Sequence, residues 1–135
     1  GYEAGLLAEI ALGEVEVLQL YWKKNRHTAA KRTQANYDKL VKLCDNRAKN
    51  APQTRKHAAH ARIAAATFAR ECALHLSKDP AATRRAQKQL CTALGSLQQL
   101  CTQDYGAGLC TMTELNAVSA RLAAEWQKLQ SLSNK

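Results

Sequence analysis

Two pairs of side chains in this sequence have the types and spacing that a metal ion requires. His57 and His60 stand three residues apart, and so do Cys72 and His75. Residues three apart share one face of a helix, so either pair could supply two of the four ligands of a zinc site. Fifteen residues of helix would separate His57 from Cys72 by about 22 Å, so the pairs cannot form one site together. We therefore expect packed or surface histidines, with no metal and no cofactor.

Catalytic motifs are absent from the sequence. It contains no phosphate-binding P-loop, no GxGxxG, no HExxH and no GxSxG, and its carboxylates are scattered instead of paired. The run Gly106-Ala107-Gly108 predicts a turn and nothing more. We therefore expect a protein that is not an enzyme.

Positive charge is the strongest chemical feature of the chain. Residues 23–62 hold twelve of the twenty Lys and Arg residues and two acids, a net charge of +10, whereas residues 1–22 hold four Glu and no base. The formal net charge of the whole chain is +9. A zone this basic favours a partner that is a polyanion.

The spacing of these bases indicates that many of them lie on one face of a helix. At 100° per residue, Lys24, Lys31, Lys42 and Lys49 fall within about 20° of one another on an ideal helix, roughly opposite the apolar positions. Arg32 and Lys39 flank them, and two bases of the next segment extend the line. The predicted site for nucleic acid or an acidic partner is Lys24, Lys31, Arg32, Lys39, Lys42, Lys49, Arg55 and Arg62.

Three readings of this basic line stay open. It can follow a phosphate backbone, with nucleic acid as the first choice, or it can meet an acidic protein surface. Alternatively it is a solvated helix face on a protein–protein scaffold or assembly module. No aromatic residue alternates with the Lys and Arg residues, and no zinc-finger or RNA-binding motif is present. The sequence therefore predicts no sequence-specific recognition of nucleotides.

The elements that carry these residues are all predicted to be α-helices. Alanine is abundant, and only two Pro and six Gly interrupt the chain. Apolar periodicity predicts helices at about 3–24 and 28–49. Because the apolar stripe stays nearly in phase from residue 15 to residue 48, we favour one continuous rod of about 45 residues over two helices separated at Thr28.

Clear stop and start signals mark the remaining helices. Asn50-Ala51-Pro52 ends one helix, and the next runs from about 53 to 76. Asp79 and Pro80 are the N-cap and the first residue of another helix, which ends at Gly106–Gly108. The four residues from Thr111 to Glu114 match a capping box ahead of the last helix. The fold class is therefore an all-α bundle of four to five amphipathic helices.

Two apolar faces are candidates for contact with a partner helix. The first helix is apolar on more sides than a lone surface helix needs, and the last helix has a seam close to a heptad repeat. These faces suggest a homodimer or another tightly bound protein. The residues are Leu12, Val15, Leu20, Leu115, Leu122 and Leu129.

The 135 residues are enough for a single domain with its own core. The chain begins at Gly1, so we expect one helical-bundle domain, residues 1–135, from a larger protein. Five cysteines, an odd number without scaffold-like spacing, indicate buried thiols and an intracellular, reducing compartment, either nucleus or cytoplasm, although Cys101 and Cys110 could close a small loop. No run of about 18 apolar residues predicts a membrane span.

Overall fold

The computed structural model describes residues 19–20 and 23–133, and in this part of the chain it is helical, with no β-strand. The four main helices are α1 (Arg26–Asn50), α2 (Arg55–Glu71), α3 (Pro80–Gly106) and α4 (Met112–Ser133). A short 3₁₀ segment, Pro52–Thr54, precedes α2, and a π-helical turn, Cys72–Leu76, follows it. The prediction of an all-α bundle is confirmed.

The predicted boundaries after α2 are present with their hydrogen bonds. Asp79 is the N-cap of α3, and its Oδ1 atom accepts from the backbone N–H groups of Ala81 and Ala82 at 3.1 and 3.2 Å. Pro80 occupies the first turn, where its missing N–H costs nothing. Thr111 and Glu114 form the capping box of α4. The Thr111 hydroxyl accepts from the Glu114 N–H at 3.1 Å, and the Glu114 carboxylate accepts from the Thr111 N–H at 3.3 Å.

The start of α1 corrects the expectation of one long rod. Lys23–Asn25 form a turn in which the Lys23 N–H donates to the Leu20 carbonyl at 3.0 Å, and α1 begins only at Arg26. Leu20 is buried in a cluster with Phe68 and Leu76. A straight helix would carry Leu20 away from that cluster, so its burial favours the turn over continued helix.

The main core lies among α2, α3 and α4. Alanines on α2 allow α3 to approach closely, and the leucines of α3 fill the interior between α2 and α4. Each fully buried leucine stabilises the fold by about 1.5–3 kcal/mol. The buried members of this cluster are Ala59, Ile63, Ala66, Leu90, Ala93, Leu94, Leu97, Cys101, Cys110 and Val118.

Helix α1 packs on the outside of this unit. None of its residues is buried, and no Cα atom of α1 lies within 8 Å of one in α3 or α4. Its main attachment is to α2 and the turn after it, where the rings of Tyr37 and Phe68 have centroids 5.3 Å apart. The arrangement leaves the outer face of α1 open to solvent and a groove between α1 and α3.

Candidate functional site

All eight residues of the predicted basic site are exposed, but they do not form one surface. Lys31, Arg32, Lys39, Lys42 and Lys49 project from α1. Lys24 lies in the turn before α1, so it does not share the helical register that the sequence analysis assumed. We call the six residues Lys24, Lys31, Arg32, Lys39, Lys42 and Lys49 the α1 basic face.

Three lysines define the axis of this face. Lys31, Lys42 and Lys49 follow one another along α1 at separations of about 16 and 10 Å, and their directions differ by only about 20°. Arg32 and Lys39 lie further round the helix. The α1 basic face is therefore a line of charge about 27 Å long from Lys31 to Lys49.

The other two predicted residues have different surroundings. The Arg62 guanidinium forms an ion pair with Asp45 of α1, which offsets its charge. The Arg55 side chain donates to the Pro52 carbonyl at 3.1 Å. Both arginines line the groove between α1 and α3, as does Lys42 of the α1 basic face. The predicted continuation of the line onto α2 is thus corrected, because α2 lies beneath α1 and not end to end with it.

No carboxylate of the described residues forms an ion pair with the α1 basic face, although Asp38 and Asp45 lie on α1 within one turn of Lys42. Four form ion pairs with other bases, two cap helices, and Asp38 accepts from the Gln34 amide. In residues 19–20 and 23–133, no carboxylate lies within 4 Å of a nitrogen of these six side chains. The face consequently keeps its positive charge. The seven carboxylates are Asp38, Asp45, Glu71, Asp79, Asp104, Glu114 and Glu125.

The groove between α1 and α3 has a volume of about 950 Å³. Its floor is made of alanines of α2, including Ala58 and Ala65, whose small side chains make the groove deep. Its α3 wall is largely amides and hydroxyls, and the Arg62–Asp45 ion pair lies on the side of α1. The wall residues of α3 include Gln89, Thr92, Ser96, Gln99 and Gln103.

A buried network of charged and amide side chains joins α2, α3 and α4. The Glu125 side chain has no exposed surface. Its Oε2 atom accepts from Arg70 Nη1 at 2.9 Å and from Gln87 Nε2 at 2.8 Å, and its Oε1 atom lies 2.8 Å from Arg121 Nη2. Arg70 also pairs with Glu71 at 2.9 Å. This network was not predicted from the sequence, because charged and amide side chains of an amphipathic helix are normally on its outer face.

Burial alone would raise the pKa of Glu125. The hydrogen bond from Gln87 and the positive charges of Arg70, Lys128 and Arg121 outweigh that effect, so the pKa of Glu125 lies below its usual range. The carboxylate therefore stays ionised at neutral pH. A fully buried anion held by three cations is suited to fixing helix positions and unsuited to taking up a proton.

A heptad signal in the sequence could have found these residues. In α4 the seam runs Leu115, Val118, Leu122, Glu125 and Leu129, so Glu125 occupies a core position. Arg70 and Gln87 occupy equivalent positions at alternating spacings of three and four on α2 and α3. An acid, a base and an amide on three inward seams indicate a buried network.

The five cysteines are spread over α1, the π-helical turn, α3 and the turn after α3. All five cysteines are described and are thiols. Cys101 has no exposed surface, so its predicted burial is confirmed. Burial and a hydrogen bond with Glu114 raise the pKa of Cys110 to about 11. Nearby, Lys56 Nζ lies 2.6 Å from Asp104 Oδ2.

The two candidate metal pairs acquire no further ligands. Over the described residues, no three His, Cys, Asp or Glu side chains come together in a way that could hold a metal ion. His57 is exposed, and His75 Nε2 lies 3.0 Å from Glu71 Oε2. In the same part of the chain, no helix is both long enough and apolar enough to cross a membrane.

The residues predicted to pack against a partner helix lie mostly within the bundle. Leu115 and Leu122 are partly buried against the main core, and Leu129 is buried, so these three leucines pack within the bundle itself. Leu20 is covered by Phe68 and Leu76. Leu12 and Val15 lie outside the described residues.

Comparison of the chain with protein-family models, with curated proteins and with solved structures gives no match.

Proposed function

We propose that this protein is a non-enzymatic helical module that binds a polyanion, with nucleic acid as the preferred partner, through the α1 basic face. The observation that carries the proposal is a line of exposed bases with no carboxylate within 4 Å in the described part of the chain. Binding through these bases would release the counterions condensed on a phosphate backbone, which is the usual source of such affinity.

The length of the α1 basic face is compatible with contact along a phosphate backbone. The distance of about 27 Å from Lys31 to Lys49 corresponds to about eight base pairs at 3.4 Å each. Tyr37, which is the only Phe, Tyr or Trp of α1, is half-buried against Phe68 and is not placed to stack on a base. Recognition would therefore use backbone charge and depend little on nucleotide sequence.

The rest of the fold supports this role by positioning α1. The helix is attached to α2 by one side, and the network around Glu125 fixes α2 against α3 and α4. Charged side chains held on a preformed helix lose less entropy on binding than charges on an unfolded segment.

A second candidate is a scaffold whose partner is an acidic protein, and the groove between α1 and α3 favours it. A groove with an alanine floor and amide walls could accept a helix, with Lys42 and Arg55 beside it to meet acidic residues. Tighter binding to an acidic helical peptide than to duplex DNA at equal ionic strength would favour this candidate over nucleic acid.

The experiment that tests the proposal is a titration of labelled duplex and single-stranded oligonucleotides of unrelated sequence, repeated across salt concentrations. We expect similar affinities for different sequences and a linear fall of log affinity with log salt. Absence of binding to every oligonucleotide at low salt would contradict the proposal.

A further inference from the structure

The turn between α3 and α4 exposes three large side chains with apolar surface. Tyr105, Leu109 and Met112 are 43%, 74% and 47% exposed, respectively. They lie within eight consecutive residues, whereas the other exposed large apolar residues of the described chain are spread over α1, α4 and the π-helical turn. An apolar cluster at the end of a bundle is an interaction site when the fold gives no reason for it.

Backbone hydrogen bonds close this turn. Leu109 N–H donates to the Asp104 carbonyl at 2.7 Å and Gly108 N–H to the Tyr105 carbonyl at 3.1 Å, with Gly108 at φ 76°. This is the Schellman ending of a helix, in which the residue at the Leu109 position usually packs on the last helical turn. Here that turn offers Gln103 and Asp104, which are polar, so Leu109 points into solvent.

The residues after Leu109 fix the C-terminal end of this turn. Cys110 is buried in the main core, and the capping box of Thr111 and Glu114 starts α4 directly afterwards. The three apolar side chains are thus presented by a fixed backbone. A partner would not have to order this segment on binding, which favours affinity.

Unneutralised bases lie at the same end of the bundle. The Lys56–Asp104 ion pair, 2.6 Å long, fixes the first turn of α2 to the last turn of α3, and the residues Ala51–Thr54 connect α2 to the end of α1. Arg47, Lys49 and Arg55 are therefore near this end. All three are exposed, and in residues 19–20 and 23–133 none has a carboxylate within 4 Å.

We propose that this end of the bundle, with Tyr105, Leu109 and Met112 at its apex and Arg47, Lys49 and Arg55 around it, binds the surface of an anionic phospholipid bilayer. The apolar side chains of the apex are exposed, so they can enter the headgroup region while the bases remain at the level of the lipid phosphates. A phosphate backbone has no apolar surface for these side chains to contact, so binding to nucleic acid would not explain their exposure. The contact is peripheral and involves no crossing of the bilayer.

The test is cosedimentation of the whole chain with vesicles of phosphatidylcholine containing about a third phosphatidylserine, compared with vesicles of phosphatidylcholine alone. We expect binding to the anionic vesicles only. The double substitution Leu109→Ser and Met112→Ser should weaken it by about tenfold or more, because it removes the apolar part of the contact. Arg47→Gln should weaken it by about fivefold.

The matched control is Leu40→Ser with Leu43→Ser, which removes two exposed leucines from α1, away from the apex. This variant should bind anionic vesicles within twofold of the unmodified chain. No binding to anionic vesicles, equal binding to neutral vesicles, or equal loss in the two double variants would each overturn the proposal. The apex variant should keep its oligonucleotide affinity, which shows that it is folded and separates this inference from the proposed nucleic-acid site.

Discussion

Arg70 Nη1 lies 2.9 Å from Glu125 Oε2 inside the bundle, and this ion pair joins α2 to α4 through the core. Both side chains are almost completely buried, and Gln87 of α3 bonds to each of them. The pair therefore ties together the three helices on which α1 rests. Breaking it should affect the stability of the fold before it affects any surface property.

Replacing one partner of this pair should be strongly destabilising. Glu125→Gln removes the negative charge that balances the buried guanidinium of Arg70. Loss of one member of a buried ion pair typically lowers the free energy of unfolding by about 3–5 kcal/mol. Asp38→Asn is a suitable control, because that exposed carboxylate has only a 3.5 Å hydrogen bond from Gln34. Urea unfolding measures both variants, and similar values for the two would contradict the assigned role of Glu125.

Replacing both partners should be less harmful than replacing one. In Arg70→Met with Glu125→Leu, both charges of this pair are removed, and apolar pairs of similar volume often match or exceed a buried ion pair in stability. Glu71 keeps its contact with His75, and Gln87 keeps its hydrogen bond to the backbone carbonyl of residue 125. We expect the double variant to be more stable than Glu125→Gln at pH 7. A double variant less stable than either single variant would show that the network contributes more than the pairing of its charges.

The network should also give a defined pH dependence. A carboxylate whose pKa is lower in the folded state stabilises the fold above its unfolded pKa of about 4.3, and this contribution disappears as the pH falls through the folded pKa. The stability difference between the unmodified chain and Glu125→Gln should therefore be constant near neutral pH and shrink below about pH 4. A difference that grows on acidification would mean that the pKa shift has the opposite sign.

Thiol labelling should distinguish the cysteines. Cys110 is buried with a pKa of about 11, so roughly one thiol in a thousand is ionised at pH 8, and Cys101 has no exposed surface. A thiol reagent should modify the half-buried Cys44 and Cys72 first, and Cys101 and Cys110 only as fast as the protein opens. Peptide mapping after short labelling identifies the sites, and early modification of Cys101 would argue against the described core.

The sequence predicted the features that depend on local chemistry. Asp79, Thr111 and Glu114 act through hydrogen bonds to residues two or three positions away, and Pro80 acts through its own ring, so local spacing was enough to place two helix starts. The apolar positions of α3 were also predicted, because that helix is surrounded by α2 and α4.

Features that depend on distant contacts were not predicted. The turn at Lys23–Asn25 follows from the packing of Leu20 on Phe68, which is 48 residues later in the chain. The periodicity of apolar residues along a helix gives no information about such a contact. Glu125 of α4 is buried while its apolar neighbour Trp126 is 50% exposed, because Arg70 and Gln87 satisfy the charge of Glu125. The ion pair between Arg62 and Asp45 depends on how α1 packs on α2. The sequence of either helix alone therefore could not predict that the charge of Arg62 is offset.

The most direct test of the central proposal compares two charge reversals of equal size. Lys31→Glu, Lys42→Glu and Lys49→Glu change the axis of the α1 basic face, and Arg84→Glu, Arg85→Glu and Lys88→Glu change three exposed bases of α3. Duplex DNA affinity should be measured for each across salt. We expect the α1 variant to lose more than about tenfold in affinity and about three units of log–log salt slope, and the α3 variant to keep the slope of the unmodified chain. Equal losses in the two variants, with helicity intact in both, would contradict a binding site on α1.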